Sequence, residues 1–319
     1  TPCATGSYQG AQGERSCVEC TPGGFCAVGA VAPTPCSSGS YSEDHGNTNA
    51  SACLPCPPGR ACPQGATAPK ACAAGSVAPS ESSAECSPCA NGTFQGDAGE
   101  LACEPCTMGG FCPSGAVAPT LCAEGSFNSL TGRWMASQCL PCREGHACGV
   151  GSSQETACVA GTVANSIGMA ACEPCVAGTF QSGSGETECR TCPRGSHCAE
   201  GASAALPCES GRYGAAEGLA SNDECTLCPP GSACTTGATQ PKACNPGSAA
   251  NTSGLGSCVP CSPGEFQNAT NATSCKPCSV ASYCAGEGSS APTPCPGGTW
   301  SDRTGLKAEV QCTKVVKGQ

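Results

Sequence analysis

The sequence predicts a small disulfide-rich fold: an elongated rod of tandem short β-hairpin and loop modules, with almost no helix and no single hydrophobic core. Three observations carry that expectation. Cysteine supplies 36 of 319 residues, a share that marks disulfide scaffolds. The cysteines also repeat, since the series Cys3, Cys17, Cys20, Cys26, Cys36, Cys53, Cys56, Cys62, Cys72, Cys86 recurs from Cys89 to Cys172 and again from Cys175 to Cys258, each time 86 residues on. Finally, Leu, Ile, Val and Phe total only 31 residues, too few to bury a core that offsets the entropy of ordering the chain.

A fixed period over three passes is the signature of a repeat protein, in which each unit is ordered by stacking on its neighbours. A fourth pass starts at Cys261, Cys275, Cys278 and Cys284, then slips by one residue to Cys295 and Cys312. The expected organisation is therefore a first repeat over 1–88, a second over 89–174, a third over 175–260, and a partial fourth with a tail over 261–319. Similarity extends beyond the cysteines: residues 20–41 match 106–127 at 15 of 22 positions.

Disulfides compete with metal as the use of this much cysteine. Ten CxxC pairs occur, such as Cys17/Cys20 and Cys53/Cys56. Neither CC nor CxC is present, and the three histidines are His45, His146 and His197. Zinc sites group their ligands as paired knuckles, often with histidine, so bridges are the expectation, with no metal and no cofactor. With 44 Gly and 28 Pro the chain would otherwise be disordered. In the chain-entropy model a bridge closing about 15 residues is worth roughly 3 kcal/mol, and such bridges stand in for the missing core.

Dense disulfides imply an oxidising compartment, hence an extracellular protein, secreted or at the cell surface. Five sequons agree, at Asn49, Asn91, Asn251, Asn268 and Asn271, each a candidate for N-glycosylation. The formal net charge of −10 leaves no basic patch for phosphates, which argues against nucleic acid. No apolar run approaches the roughly 20 residues of a membrane span. The chain opens two residues before a repeat cysteine and lacks an initiator Met, the expectation being a processed protein or a segment of a longer one.

Within the repeat, cysteines alternate between openers and closers. Seventeen of the eighteen openers, from Cys3 and Cys20 to Cys295, carry Gly three residues later, and Ala281 is the exception. Glycine there admits positive φ in a turn directly after the bridge. Eleven of the twelve aromatics lie five residues after an opener, among them Tyr8, Phe25, Tyr41 and Phe94, while Trp134 falls elsewhere. One ring per loop suits packing against a neighbouring disulfide; a row of exposed rings forming a partner platform is the rival reading. Segments such as Gly92-Thr93-Phe94-Gln95 read as short strands, and no stretch has a sustained helical period.

The fourth pass ends at Cys312, so the expectation, if no thiol is left over, is that the six cysteines Cys261–Cys312 close among themselves. By equivalence Cys3–Cys53 is a closed set of six, and Cys56, Cys62, Cys72 and Cys86 a closed set of four. The simplest pairing joins each opener to the next closer: Cys3–Cys17, Cys20–Cys26, Cys36–Cys53, Cys56–Cys62, Cys72–Cys86. An interleaved scheme, Cys20–Cys36 with Cys26–Cys53, satisfies the same closure, and spacing alone does not choose between them.

The run Cys89-Ala-Asn-Gly-Thr-Phe through Cys103-Glu-Pro-Cys106 resembles the ephrin-receptor-like cysteine-rich repeat, of the wider group of growth-factor-receptor and TNF-receptor modules. The resemblance spans Cys3 to Cys312. It implies stacked disulfide-linked loops and, through the TNF-receptor modules, the interleaved pairing; the x5 and x16 gaps here depart from that spacing. It says little of function, since such repeats serve receptors, matrix and surface proteins alike.

An enzyme is the least supported class: the histidines are isolated and no acid–base pair is fixed by the pattern. His146 and His197 read as solvent-facing substitutions. The regular, small-residue surface points to a non-enzymatic structural protein of a filament, stalk, flagellar hair or cell coat, whose partners are other copies of itself or extracellular structural proteins. The alternative is a ligand-binding receptor ectodomain, which needs one unit to differ by large anchors. Arg133, Trp134 and Met135, in the loop from Cys122 to Cys139, are the one candidate contact patch.

Overall fold

The computed structural model of the chain describes residues 1–11 and 13–314. Among the described residues it comprises eighteen two-stranded sheets, each formed by two-residue strands that follow an opener cysteine, paired as antiparallel hairpins. The first pairs Ser7–Tyr8 with Val18–Glu19, the second Gly24–Phe25 with Thr34–Pro35, the third Ser40–Tyr41 with Leu54–Pro55. Four three-residue 3-10 turns, Ala50–Ala52, Ala136–Gln138, Asn222–Glu224 and Glu309–Gln311, are the only helical elements among the described residues. Each ends on a closer, and they recur with the repeat.

Every cysteine is bridged, always opener to next closer. The interleaved pairing implied by the TNF-receptor resemblance is thereby overturned. The physical reason is local: a loop of only six residues brings Cys20 and Cys26 to a Cα separation of 5.9 Å, within bridging range. Cys36 lies beyond the second hairpin and is left to open the third. Sequence separations run 14, 6, 17, 6, 14 from Cys3 to Cys86 and then start again at Cys89.

The chain forms two compact units, Thr1–Thr156 with Ser166–Ala171, and Ala157–Asn165 with Cys172–Gln319. Within each, a backbone ladder joins successive hairpins. In the first unit the N–H of Gly6 donates to the Cys26 carbonyl at 2.9 Å, Cys20 donates back to Gly6 at 2.8 Å, and Gly29 donates to Cys3 at 2.8 Å. In the second unit the same three bonds join Gly178 to Cys198, Cys192 to Gly178 and Gly201 to Cys175, at 2.8, 2.9 and 2.7 Å. A two-residue strand pair cannot stand alone in water; here each hairpin's backbone groups are met by its neighbours.

The interior is sulfur and small side chains. Both cysteines of every six-residue bridge are buried, joined by alanines such as Ala78, Ala164 and Ala250, and the largest fully buried side chain is Gln181. Bulky aliphatics, among them Val31, Val150 and Leu140, stand exposed. Bridges replace the core, as composition predicts. Ten of the eleven register rings are half-buried, Trp300 being exposed: Tyr41 lies on the cluster of Cys56, Cys62 and Ala66 and bridges through its backbone to Ala66. Phe94 and Tyr213 bridge likewise to Ala116 and Ala238.

Candidate functional site

The five sequon asparagines are all exposed but differ in setting. Asn49 caps the first 3-10 turn, its Oδ1 accepting from the Ser51 N–H at 3.0 Å. The Asn91 Oδ1 accepts from the N–H of Ser114, in the next hairpin, at 2.9 Å. Asn271 adopts φ 58°, taking the place that glycine holds in most hairpins. Its N–H donates to the Cys244 carbonyl at 2.9 Å, and its Oδ1 accepts from Ser232. Asn268 and Asn251 occupy equivalent places on successive hairpins, seven residues after Cys261 and Cys244. Asn251 lines an open cavity of about 290 Å³.

The loop from Cys122 to Cys139 carries the candidate contact patch. Its tip is held by Gln138, whose Oε1 accepts from the N–H groups of Trp134 and Met135 at 2.9 and 3.2 Å. Arg133 sends its carbonyl to the N–H of Cys112 at 2.9 Å. Its Nε is buried without a partner among the described residues. Trp134 is 41% exposed, more than every register ring except Trp300, and Met135 is half-buried.

The histidines differ from the reading as solvent-facing substitutions. His146 is half-buried beside the Arg143 guanidinium, at 3.0 Å from Nε2, and that guanidinium also meets Glu155 at 2.9 Å. His197 is half-buried with Nδ1 out of solvent and unpartnered. It stands five residues after Cys192, where most hairpins place a ring, and so is turned inward by the same register.

The structure also adds residues that the sequence reading did not single out. Gln9, Gln95, Gln181 and Gln267 recur every 86 residues, one place after the ring. Each sends Nε2 to the carbonyl seven residues on and takes the N–H two residues on at Oε1; for Gln181 these are Glu188 at 2.7 Å and Gly183 at 3.0 Å. The latch pins the return loop of its hairpin. Its 86-residue spacing was the available signal. Among the described residues no three His, Cys, Asp or Glu side chains gather as a metal-binding group, and no helix is long and apolar enough to cross a membrane.

Such a fold defines a cysteine-rich protein of tandem disulfide-closed hairpins. Residues 75–122 and 161–205 match the family described as tyrosine-protein kinase ephrin type A/B receptor-like, and these two stretches are similar to its cysteine-rich modules. They stand in register: each begins at the glycine after an opener, Gly75 and Gly161, and takes in two fourteen-residue bridges or their greater part, followed by a six-residue one. No curated protein matches the chain.

Proposed function

We propose that the chain is a non-enzymatic extracellular structural protein, a component of a filament, stalk, flagellar hair or cell coat. The observation that carries this reading is the uniform ladder. From Gly6 to Gly264 the same backbone bonds recur from hairpin to hairpin within each unit, a construction whose product is a regular array rather than one singular cleft. The bridges and the ephrin-receptor-like modules support an extracellular or cell-surface setting. Copies of the chain, or other extracellular structural proteins, are its partners.

Electron microscopy of native material tests the assignment. Polymers with a fixed axial repeat, reacting with an antibody to this chain, are the expected result; monodisperse particles that saturate with one soluble ligand would refute it. One observation favours the receptor-ectodomain alternative: Trp134, exposed beside Arg133, is the kind of anchor that partner sites use. Trp134→Ala abolishing ligand capture without altering assembly would decide for that alternative.

A further inference from the structure

We propose that Asn251 carries an N-linked glycan whose first sugar lies in the cavity between the Cys244 and Cys261 hairpins, making that sugar part of the fold of the second unit. The proposal rests on the extracellular reading, because the modification needs passage through a secretory compartment.

Asn251 heads the sequon Asn251-Thr252-Ser253 and is itself one wall of the 290 Å³ cavity. Ala249, Val259 and Pro260 supply apolar walls, and Ser262, Glu265 and Thr273 supply polar ones. That mixture suits an N-acetylhexosamine, which has an apolar ring face and a rim of hydroxyl and acetamido groups. Apolar walls with a few placed polar groups are the usual make-up of a ligand site. The Glu265 carboxylate accepts from sugar hydroxyls, and the Ser262 and Thr273 hydroxyls both donate and accept.

The cavity is also held open and in place. Ala250, next to Asn251, donates its N–H to the Ala272 carbonyl at 3.0 Å, which fixes the attachment point against the opposite wall. That wall is pinned by Gln267, whose Nε2 donates to Ser274 at 2.7 Å and whose Oε1 accepts from Ala269 at 3.0 Å. Bridges Cys244–Cys258 and Cys261–Cys275 close both hairpins. Whereas the side chains of Asn49, Asn91 and Asn271 are engaged with neighbouring residues, those of Asn251 and Asn268 make no hydrogen bond among the described residues, and of these two only Asn251 lines the cavity. In the attachment step Nδ2 bonds to the anomeric carbon of a lipid-pyrophosphate-linked oligosaccharide. The bond from that carbon to phosphate oxygen breaks, the lipid pyrophosphate leaves, and Nδ2 gives up one proton.

The test uses the full chain secreted from a eukaryotic host, with site occupancy read by peptide mapping after amidase release of glycans. Hydrogen exchange over 247–275 is then compared in the native glycoform, in protein trimmed to a single sugar by an endoglycosidase, and in Ser253→Ala, which keeps Asn251 but loses the sequon. The native and trimmed forms are expected to exchange about three- to tenfold more slowly than Ser253→Ala, the range for about one net hydrogen bond; Asn251→Gln should behave like Ser253→Ala. Sugar at Asn49 or Asn91 but not at Asn251, or a trimmed form that exchanges as fast as Ser253→Ala, would overturn the proposal alone. Free thiols together with bare sequons throughout would overturn the extracellular reading with it.

Discussion

Gly92 and Gly132 meet across two hairpins: a β-carbon built on Gly92 would stand 3.0 Å from the Gly132 carbonyl carbon, with the carbonyl oxygen nearer still. Gly92 has φ 85°, so a side chain there is both strained and obstructed by backbone. Gly132 also has positive φ, at 72°, but opens on empty space. The two substitutions therefore separate conformation from contact. Gly132→Ala should cost about 1 kcal/mol, the strain of a left-handed alanine. Gly92→Ala should cost more, about 2–4 kcal/mol, since backbone must shift. Denaturant melts of the two variants check the order, and equal losses would contradict the close approach.

That pair also marks how far the sequence could be read. The turn chemistry of the opener glycine is local, so Cys89-Ala-Asn-Gly92 announces its positive φ. Its second duty, admitting the carbonyl of a residue 40 positions away, is a property of stacking and leaves no trace in spacing. The disulfide pairing was open for a similar reason. Closure counts tolerate two schemes for Cys20, Cys26, Cys36 and Cys53, and only the hairpin geometry selects one. Gln181 escaped because a polar residue beside a ring looks like surface; its burial follows from bonds to its own loop. Rings, short strands and the absence of a core were legible, being written in composition and a fixed period.

Replacing Gln181 by Met keeps its size and removes both hydrogen bonds. The Gly183 N–H and Glu188 carbonyl lose their partners in a part-buried loop. Leaving such groups unpaired costs about 1–3 kcal/mol each when they stay out of water, and partial access to water brings the expected total to about 2 kcal/mol. Exchange of amides over 182–188 should rise first, while the Cys244 hairpin, beyond the hairpins that the Cys175 hairpin touches, keeps its protection because couplings in repeat proteins are short-ranged. Unchanged exchange in that loop would show the latch to be idle.

The bridges should reduce in a fixed order. In all seven bridges that span six residues, as in Cys20–Cys26 and Cys106–Cys112, both sulfurs are enclosed. In all seven that span fourteen residues, the closer reaches solvent, as at Cys17, Cys103 and Cys189. Exchange needs a thiolate to reach one sulfur. Limited dithiothreitol followed by alkylation and peptide mapping should label the fourteen-residue pairs first, with the six-residue pairs following only after the hairpins have loosened. Simultaneous labelling of both kinds would show that the ladder does not shield the shorter loops.

His197 offers a stabilising change. It stands at the register position held by Phe25, Phe111 and Tyr283 in the other passes, on a strand pairing with Leu206. Its Nδ1 is buried with no partner among the described residues. An unpaired buried polar atom costs about 1–3 kcal/mol, whereas a ring in this place packs on sulfur and small side chains as Tyr41 does on Cys56, Cys62 and Ala66. His197→Phe should therefore stabilise the second unit by about 1–2 kcal/mol, read as a higher denaturant midpoint. His197→Ala should lower the midpoint, since it removes the buried polar atom but leaves the space at this register position unfilled. If His197→Phe instead destabilised the unit, the space at this position would be shaped for imidazole and not for the ring its register implies.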